Sequence, residues 1–220
     1  MICFCVKNRE VPVGKNRWNA WEQRKFAELF DTLANNTLSR AELTEETGIG
    51  RDVHYGDILV KFGECLSGVS ELPFIAKDQT VKKFSSSRLQ NGDVIIADTA
   101  EDETVGKCME ILEVQGEIVL AGLHTIPCRP REKFAPAYLG YFMNSSAYHD
   151  QLRPLMQGIK VTSISKSALQ DTILVMPKSY DEQKQIGRLF LRLDHLITLH
   201  QRKCDELKTV KKFMLKNMFV

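Results

Sequence analysis

Residues 179–220 constrain this chain more than any other stretch. Pro177 ends the apolar run Thr172–Met176, and Ser179-Tyr180-Asp181-Glu182 follows as a helix start. The Ser179 side chain can accept from the amide near Glu182 while the Glu182 carboxylate reaches back, a reciprocal capping box. Asp181 and Glu182 also suit the positive end of a helix dipole. Beyond this cap Ile186, Leu193, His200, Leu207 and Met214 recur every seven residues. Leu189, Leu196, Lys203, Val210 and Asn217 form the companion row, widened by Phe190, Ile197, Cys204 and Met218. Such a repeat predicts a coiled-coil or long packed helix. At about 1.5 Å per residue it spans roughly 60 Å. One helix cannot bury this stripe alone, so a partner helix is expected. His200 and Lys203 interrupt the seam near its middle, where polar residues fix register at a cost in stability.

The preceding residues read as one domain. A chain of 220 residues with 43% hydrophobic content suits a single core plus an appendage. It holds no apolar run of about 18 residues, so no membrane span is expected. The opening Met1–Val6 is apolar but short, and Lys7 and Arg9 follow it rather than precede it, unlike a secretion signal. The six cysteines form no C-x-x-C pair and no zinc-spaced Cys/His ladder. Buried reduced thiols in a cytoplasmic protein, with no metal, are expected. The net charge is only +2, but Asp181–Val220 holds nine Lys/Arg against five Asp/Glu. That excess either solvates the helix or faces a polyanion.

The local patterns predict an α+β fold. Trp18–Phe30 has apolar residues three and four apart and reads as a short amphipathic helix, with Trp21, Phe26, Leu29 and Phe30 as packing residues. Tyr55-Gly-Asp-Ile-Leu-Val-Lys-Phe62 and Asn91-Gly-Asp-Val-Ile-Ile-Ala97 each read as a Gly-Asp turn followed by a strand, and Gly116–Ala121 as a third. Helices are expected at Pro136–Met143 and Ser146–Met156, with Tyr138, Tyr141, Phe142 and Tyr148 in the core. The expected organisation is a mixed or antiparallel-sheet domain over residues 18–178, then one long helix over residues 179–220. Residues 1–17 carry no assignment.

Reaction chemistry is missing from the pattern. Gly14-Lys15 and Gly106-Lys107 lack the upstream Gly and the following Ser/Thr of a phosphate loop. No G-x-G-x-x-G occurs. Glu182-Gln183-Lys184 has an acid-x-Lys spacing, but it sits in a helix cap without a partner acid. Cys65 and His124 cannot be paired as nucleophile and base from sequence. No catalytic residue is assigned, and a recognition role gains weight.

Several stretches carry a family likeness: Trp21–Phe30, the starts Tyr55-Gly-Asp-Ile-Leu and Asn91-Gly-Asp-Val-Ile-Ile, Gly158–Leu169, and the closing run with Glu182-Gln-Lys-Gln-Ile186 and Leu193-Asp-His-Leu-Ile197. Over residues 18–220 the chain resembles the specificity subunit of Type I restriction–modification systems. The resemblance implies a target recognition domain that reads a few base pairs of double-stranded DNA, and a helix that acts as a spacer between two such domains. It implies methyltransferase subunits as partners, which bring S-adenosylmethionine. A restriction/translocase subunit using ATP and Mg is implied as well, with no cofactor held by this chain.

The family pattern holds two domains and two helices, and this sequence has room for one of each. A half-subunit pairing through its C-terminal helix, with itself or with a second specificity half, is therefore expected. Self-pairing would imply a symmetric bipartite site. The alternative is a coiled-coil assembly adaptor, or a truncated or silent cassette product, without DNA binding of its own. Lys160, Lys166, Lys61, Lys77 and Arg88 are candidates for phosphate contact. Thr162, Ser163 and Ser165 are candidates for phosphates or base edges, and Thr99 and His124, with Gln79, Asp98 and Glu101, for base readout. The pairing residues expected on the helix are Ile186, Leu189, Leu193, Leu196, His200, Leu207, Val210 and Met214.

Overall fold

The computed structural model describes residues 21–158 and 160–219. The architecture is α+β, with short strands in small sheets and one helix of 38 residues, Tyr180–Asn217. The central sheet has five strands in the order Phe30–Thr32, Thr125–Pro130, Val94–Ala97, Cys108–Ile111, Cys65–Leu66. Its pairings are antiparallel except the last, which is parallel. Val94–Ala97 and Cys108–Ile111 are buried at every position. Strands covered on both faces read as continuous apolar runs rather than as alternation. On one face Val94, Ile96 and Cys108 pack with Phe26, Leu29, Tyr138 and Tyr148. On the other, Ile95, Met109 and Ile111 pack with Val53, Ile58 and Leu72. A second sheet orders Val119–Ala121, Arg51–Val53, Phe74–Ile75 and Leu43–Thr44.

Three expected elements differ. The helix over Trp18–Phe30 is one: residues 18–20 lie outside the described residues, and Trp21–Lys25 is a strand paired antiparallel with Ile173–Pro177. Only Phe26–Leu29 is helical. The three-and-four spacing came from Phe26, Leu29 and Phe30, which fill a single turn. Trp21 is not a core residue; it is 51% exposed, and its indole N–H donates to Glu182 Oε1 at 3.0 Å. That bond diverts half of the capping box. Ser179 Oγ accepts from the Glu182 amide at 3.4 Å, while the Glu182 carboxylate turns to Trp21 instead of reaching back.

The second difference is Ile58-Leu59-Val60, which lies in a wide helical turn over Asp57–Lys61 rather than a strand. The turn is closed by the Phe62 amide on the Asp57 carbonyl at 2.9 Å. Its start is held by the buried Asp57 carboxylate, which accepts two bonds from Arg40, at 2.9 and 2.6 Å, and one from the His54 amide at 3.3 Å. The third is Ser146–Met156, where the α-helix stops at His149 and a 3-10 turn follows at Arg153–Leu155. Pro154 has no N–H to continue an α-helix.

The long helix is wedged onto the domain by its first turns. A Cβ on Gly187 would lie 2.7 Å from the Pro136 carbonyl oxygen, so only glycine permits this approach. The buried Gln183 side chain donates to the Pro177 carbonyl at 3.0 Å and accepts from the Ala135 amide at 3.2 Å. Tyr141 stacks on Phe190 at 5.0 Å, and its hydroxyl donates to the Asp194 carboxylate. Ile186 packs against the domain core and so leaves the pairing seam expected for it. The seam is open from Leu189 onward; Leu189, Leu193, Leu196, Leu207, Val210 and Met214 are all exposed. Cys108 and Cys128 are buried free thiols and Cys65 is half-buried, whereas Cys204 is exposed on the helix, contrary to the expectation of buried thiols. Cys3 and Cys5 lie outside the described residues. Among the described residues, no helix is long and apolar enough to cross a membrane.

Candidate nucleic-acid interface

Of the expected readout residues, Asp98, Thr99 and His124 converge at the end of strand Val94–Ala97, whereas Gln79 lies on the helix Asp78–Lys83. Asp98 follows this strand and is pinned through its backbone. Its amide donates to the His124 carbonyl at 3.1 Å, and its carbonyl accepts from the Ile164 amide at 2.9 Å. The next two residues, Thr99–Ala100, pair antiparallel with Thr162–Ser163, so Thr99 lies opposite Ser163 and Ala100 opposite Thr162. Four of the predicted residues, Thr99, His124, Thr162 and Ser163, are thus drawn to one edge by one short ladder and one loop.

His124 is held tightly for an exposed residue. Its backbone is left-handed, with φ of 55°, which a non-glycine residue adopts only when its surroundings impose it. Its Nδ1 lies 3.2 Å from Asp98 Oδ1, the same oxygen that accepts from the Thr99 hydroxyl at 2.7 Å. A carboxylate can only accept, so Nδ1 is the donor in this contact. Tyr55 meets the ring edge-on at 5.3 Å and is itself packed on His54 at 4.6 Å. Sequence reading missed Tyr55, because the Tyr55-Gly-Asp pattern looked like the start of a strand.

The segment 157–170 frames this edge. The Gln157 and Ser163 backbones exchange two hydrogen bonds of 2.9 and 2.8 Å. Gly158 makes the turn possible, at φ of 120° and with the Val161 carbonyl oxygen 2.0 Å from where a Cβ would sit. Lys160 and Lys166 are exposed on this segment and form no ion pair among the described residues. Ser165 has a structural task instead: its Oγ accepts from the Ala168 amide at 3.1 Å and caps the helix Lys166–Gln170.

The remaining candidate cations lie on other elements, Lys61 in the turn Asp57–Lys61, Lys77 before the helix Asp78–Lys83 and Arg88 after the turn Ser85–Ser87. Lys61 donates to the Glu71 carbonyl and faces the Glu71 carboxylate at 3.8 Å. Lys77 pairs with Glu42 at 3.2 Å. Arg88 is exposed, and its carbonyl accepts from Arg129 at 2.8 Å, beside the Arg129–Asp93 pair.

A buried acid supports the loop that carries His124. Asp52 is fully buried, with one oxygen accepting from Asn36 at 2.7 Å and the other without a hydrogen-bond partner beside Gly122. Burial pushes its carboxyl up to about 7, against the pull of the Asn36 bond. The folded state therefore binds this proton more tightly than the unfolded chain. Stability from this group is present in full at low pH and is lost as pH rises from about 4 towards 7. At about 1.4 kcal/mol per pH unit of displacement, raising the pH from 5 to 8 should lower the unfolding free energy by a few kcal/mol. In Asp52→Asn the share of the loss that comes from this group should be absent, leaving that of the buried Glu110, whose carboxyl also lies at about 7, as read by denaturant melts at both pH values. Equal slopes in both proteins would contradict it.

With this geometry in place, comparison with known proteins is informative. A family model described as "Type I restriction modification DNA specificity domain" matches residues 19–209. The MjaX type I restriction enzyme specificity subunit of Methanocaldococcus jannaschii is 23% identical over 206 residues, covering 90% of this chain and 45% of that protein. A Type-I restriction-modification S subunit structure from M. genitalium aligns with a TM-score of 0.55 at 16% identity, over 94% of this chain and 49% of that one. A chain from a structural study of complex assembly and conformational transition of the type I R-M system aligns at 0.60 and 16% identity, over 96% and 46%. The HsdS subunit of Thermoanaerobacter tengcongensis aligns at 0.54 and 18%, over 95% and 47%. The chain thus spans about half the length of the relatives it matches.

Proposed function

This chain belongs to the Type I restriction modification DNA specificity domain family, and on that premise we propose that its domain reads DNA sequence for a methyltransferase complex. The surface set against the duplex is the edge built by Thr99, His124, Thr162 and Ser163. The observation that supports this most is their convergence. Residues far apart in sequence form one polar edge, His124 is locked in place, and two exposed cations, Lys160 and Lys166, flank it on one segment. Phosphate contacts from the two lysines would position the domain without specifying sequence. The His124 ring and the Thr and Ser hydroxyls would face base edges in the major groove.

In this reading the chain carries no catalytic step. Methyl transfer belongs to partner methyltransferase subunits with S-adenosylmethionine, and translocation and cleavage to an ATP- and Mg-using restriction subunit. The long helix is the spacer, and its exposed apolar seam is filled by a second helix of the same kind. Leu193→Glu should abolish that pairing by placing a charge in the seam. Sedimentation showing the same oligomer for both proteins would contradict this.

The reading is tested by duplex binding. Fluorescence anisotropy of a labelled duplex should show the logarithm of affinity falling linearly with the logarithm of salt. His124→Ala should flatten discrimination between duplexes while retaining weak binding to all of them. A chain with no affinity for any duplex, alone or with its methyltransferase partner, would favour the assembly-adaptor reading instead.

A further inference from the structure

Asp98, Thr99 and His124 close a triangle of hydrogen-bonding atoms, and from it we infer that Asp98 fixes Thr99 as an acceptor, so that the edge selects a base with an exocyclic amino group, adenine or cytosine, on the DNA strand it faces. The inference rests on the DNA-reading proposal above and adds the class of base and the residue that determines it. Asp98 Oδ1 lies 2.7 Å from Thr99 Oγ1 and 3.2 Å from His124 Nδ1, and Thr99 Oγ1 lies 3.3 Å from the same Nδ1.

The protons of this triangle have one arrangement. A carboxylate oxygen only accepts. The Nδ1 beside it carries a proton, because two lone pairs at that distance would repel. A protonated Nδ1 cannot accept from Thr99, so within the triangle the Thr99 hydroxyl proton goes to Asp98. A hydroxyl has one proton and two lone pairs. With its proton committed to Asp98, Thr99 offers only a lone pair to any further partner. A threonine without that carboxylate would turn its proton either way and accept or donate as the base required.

The arrangement is held in place from several sides. The Asp98 amide donates to the His124 carbonyl at 3.1 Å, and the Asp98 carbonyl accepts from the Ile164 amide at 2.9 Å. Thr99 is fixed opposite Ser163 by the two-stranded ladder. The His124 ring is set by its left-handed backbone and by the edge-on contact with Tyr55. In the major groove adenine N6 and cytosine N4 are donors, whereas thymine O4 and guanine O6 are acceptors. An acceptor-only Thr99 bonds the first two and meets the others lone pair to lone pair. Asp98, expected from sequence as a base reader, is in this role a positioning residue that acts through Thr99.

The test measures the affinity of the full-length chain, assembled with its methyltransferase subunit, for duplexes of the sequence that the complex methylates. Thr99→Val keeps the side-chain shape and loses the hydroxyl, and it should make one position indifferent to its base pair. At that position the base amino group is deleted, with purine for adenine or 2-pyrimidinone for cytosine. Affinity of the unsubstituted protein should fall about three- to tenfold, the worth of one hydrogen bond, and that of Thr99→Val should not change. Deleting the carbonyl of the opposite base, with 5-methyl-2-pyrimidinone for thymine or 2-aminopurine for guanine, should affect both proteins equally. Asp98→Ala should lose the preference between that base pair and its inversion while keeping its affinity for unrelated duplexes. Asp98→Asn, whose side-chain carbonyl still takes both protons, should keep the preference. Coupling of Thr99 to the carbonyl instead of the amino group overturns the inference, as does the absence of any position that depends on Thr99. Full preference retained in Asp98→Ala overturns it too, and the Thr99→Val comparison decides alone if Asp98→Ala does not fold. In each of these cases sequence-selective binding persists and the DNA reading stands, whereas no affinity for any duplex overturns both.

Discussion

Glu110→Ala is expected to destabilise the fold by about 3 kcal/mol, the cost of leaving buried amides without an acceptor. Glu110 lies on the strand Cys108–Ile111 and is 1% exposed. Its two carboxylate oxygens accept from the Ala137 and Gly140 amides, both at 2.9 Å, at the start of the helix Tyr138–Asn144. These are unpaired amides at the positive end of a helix, where a carboxylate is favoured. Burial opposes them and holds the carboxyl at about 7, so part of the gain from pairing is offset. The approach is close: a Cβ on Gly140 would lie 2.2 Å from the Glu64 carbonyl oxygen. The same helix seats the long arm through Tyr141. For a chain of this size about 3 kcal/mol corresponds to a melting temperature lower by roughly 6–12 °C. Calorimetry giving an unchanged midpoint would refute the assignment.

The second large effect concerns DNA. Replacing Lys160 and Lys166 together by alanine should lower affinity for every duplex, whatever its sequence. The dependence of log affinity on log salt should become shallower by about 2, near 0.9 for each lost phosphate contact. At moderate salt this corresponds to about a tenfold to hundredfold loss. Because neither lysine pairs with an acid among the described residues, their removal strands no buried charge. Discrimination between duplexes should survive, since phosphate contacts position and base contacts specify. Unchanged affinity would remove the 157–170 segment from the interface.

The sequence exposed the long helix most clearly, because its signal is a repeat written in one continuous stretch. The strands Val94–Ala97 and Val119–Ala121 were visible for a related reason: burial on both faces leaves uninterrupted β-formers. Ile58-Leu59-Val60 has the same composition and folds otherwise. What decides it is Arg40 gripping Asp57 across 17 residues, which no local pattern records. Trp21 misled in a similar way, since its strand partner Pro177 and its hydrogen-bond partner Glu182 both lie far along the chain. The candidate edge was legible as residue types and not as a place. Thr99 and Ser163 were both singled out, but only the ladder puts them opposite each other. Lys61 and Lys77 looked equivalent to Lys160 until their acidic partners appeared.

The central claim, that this domain selects the DNA sequence on which a methyltransferase acts, is met most directly by mapping methylated bases. The chain is expressed with its methyltransferase subunit in cells lacking other methylation, and modified positions are read across the genome. The account predicts methylation confined to one recurring sequence, altered or relaxed when Thr99 and His124 are both replaced by alanine. Methylation that is the same with and without this chain, or identical in the double variant, would contradict it.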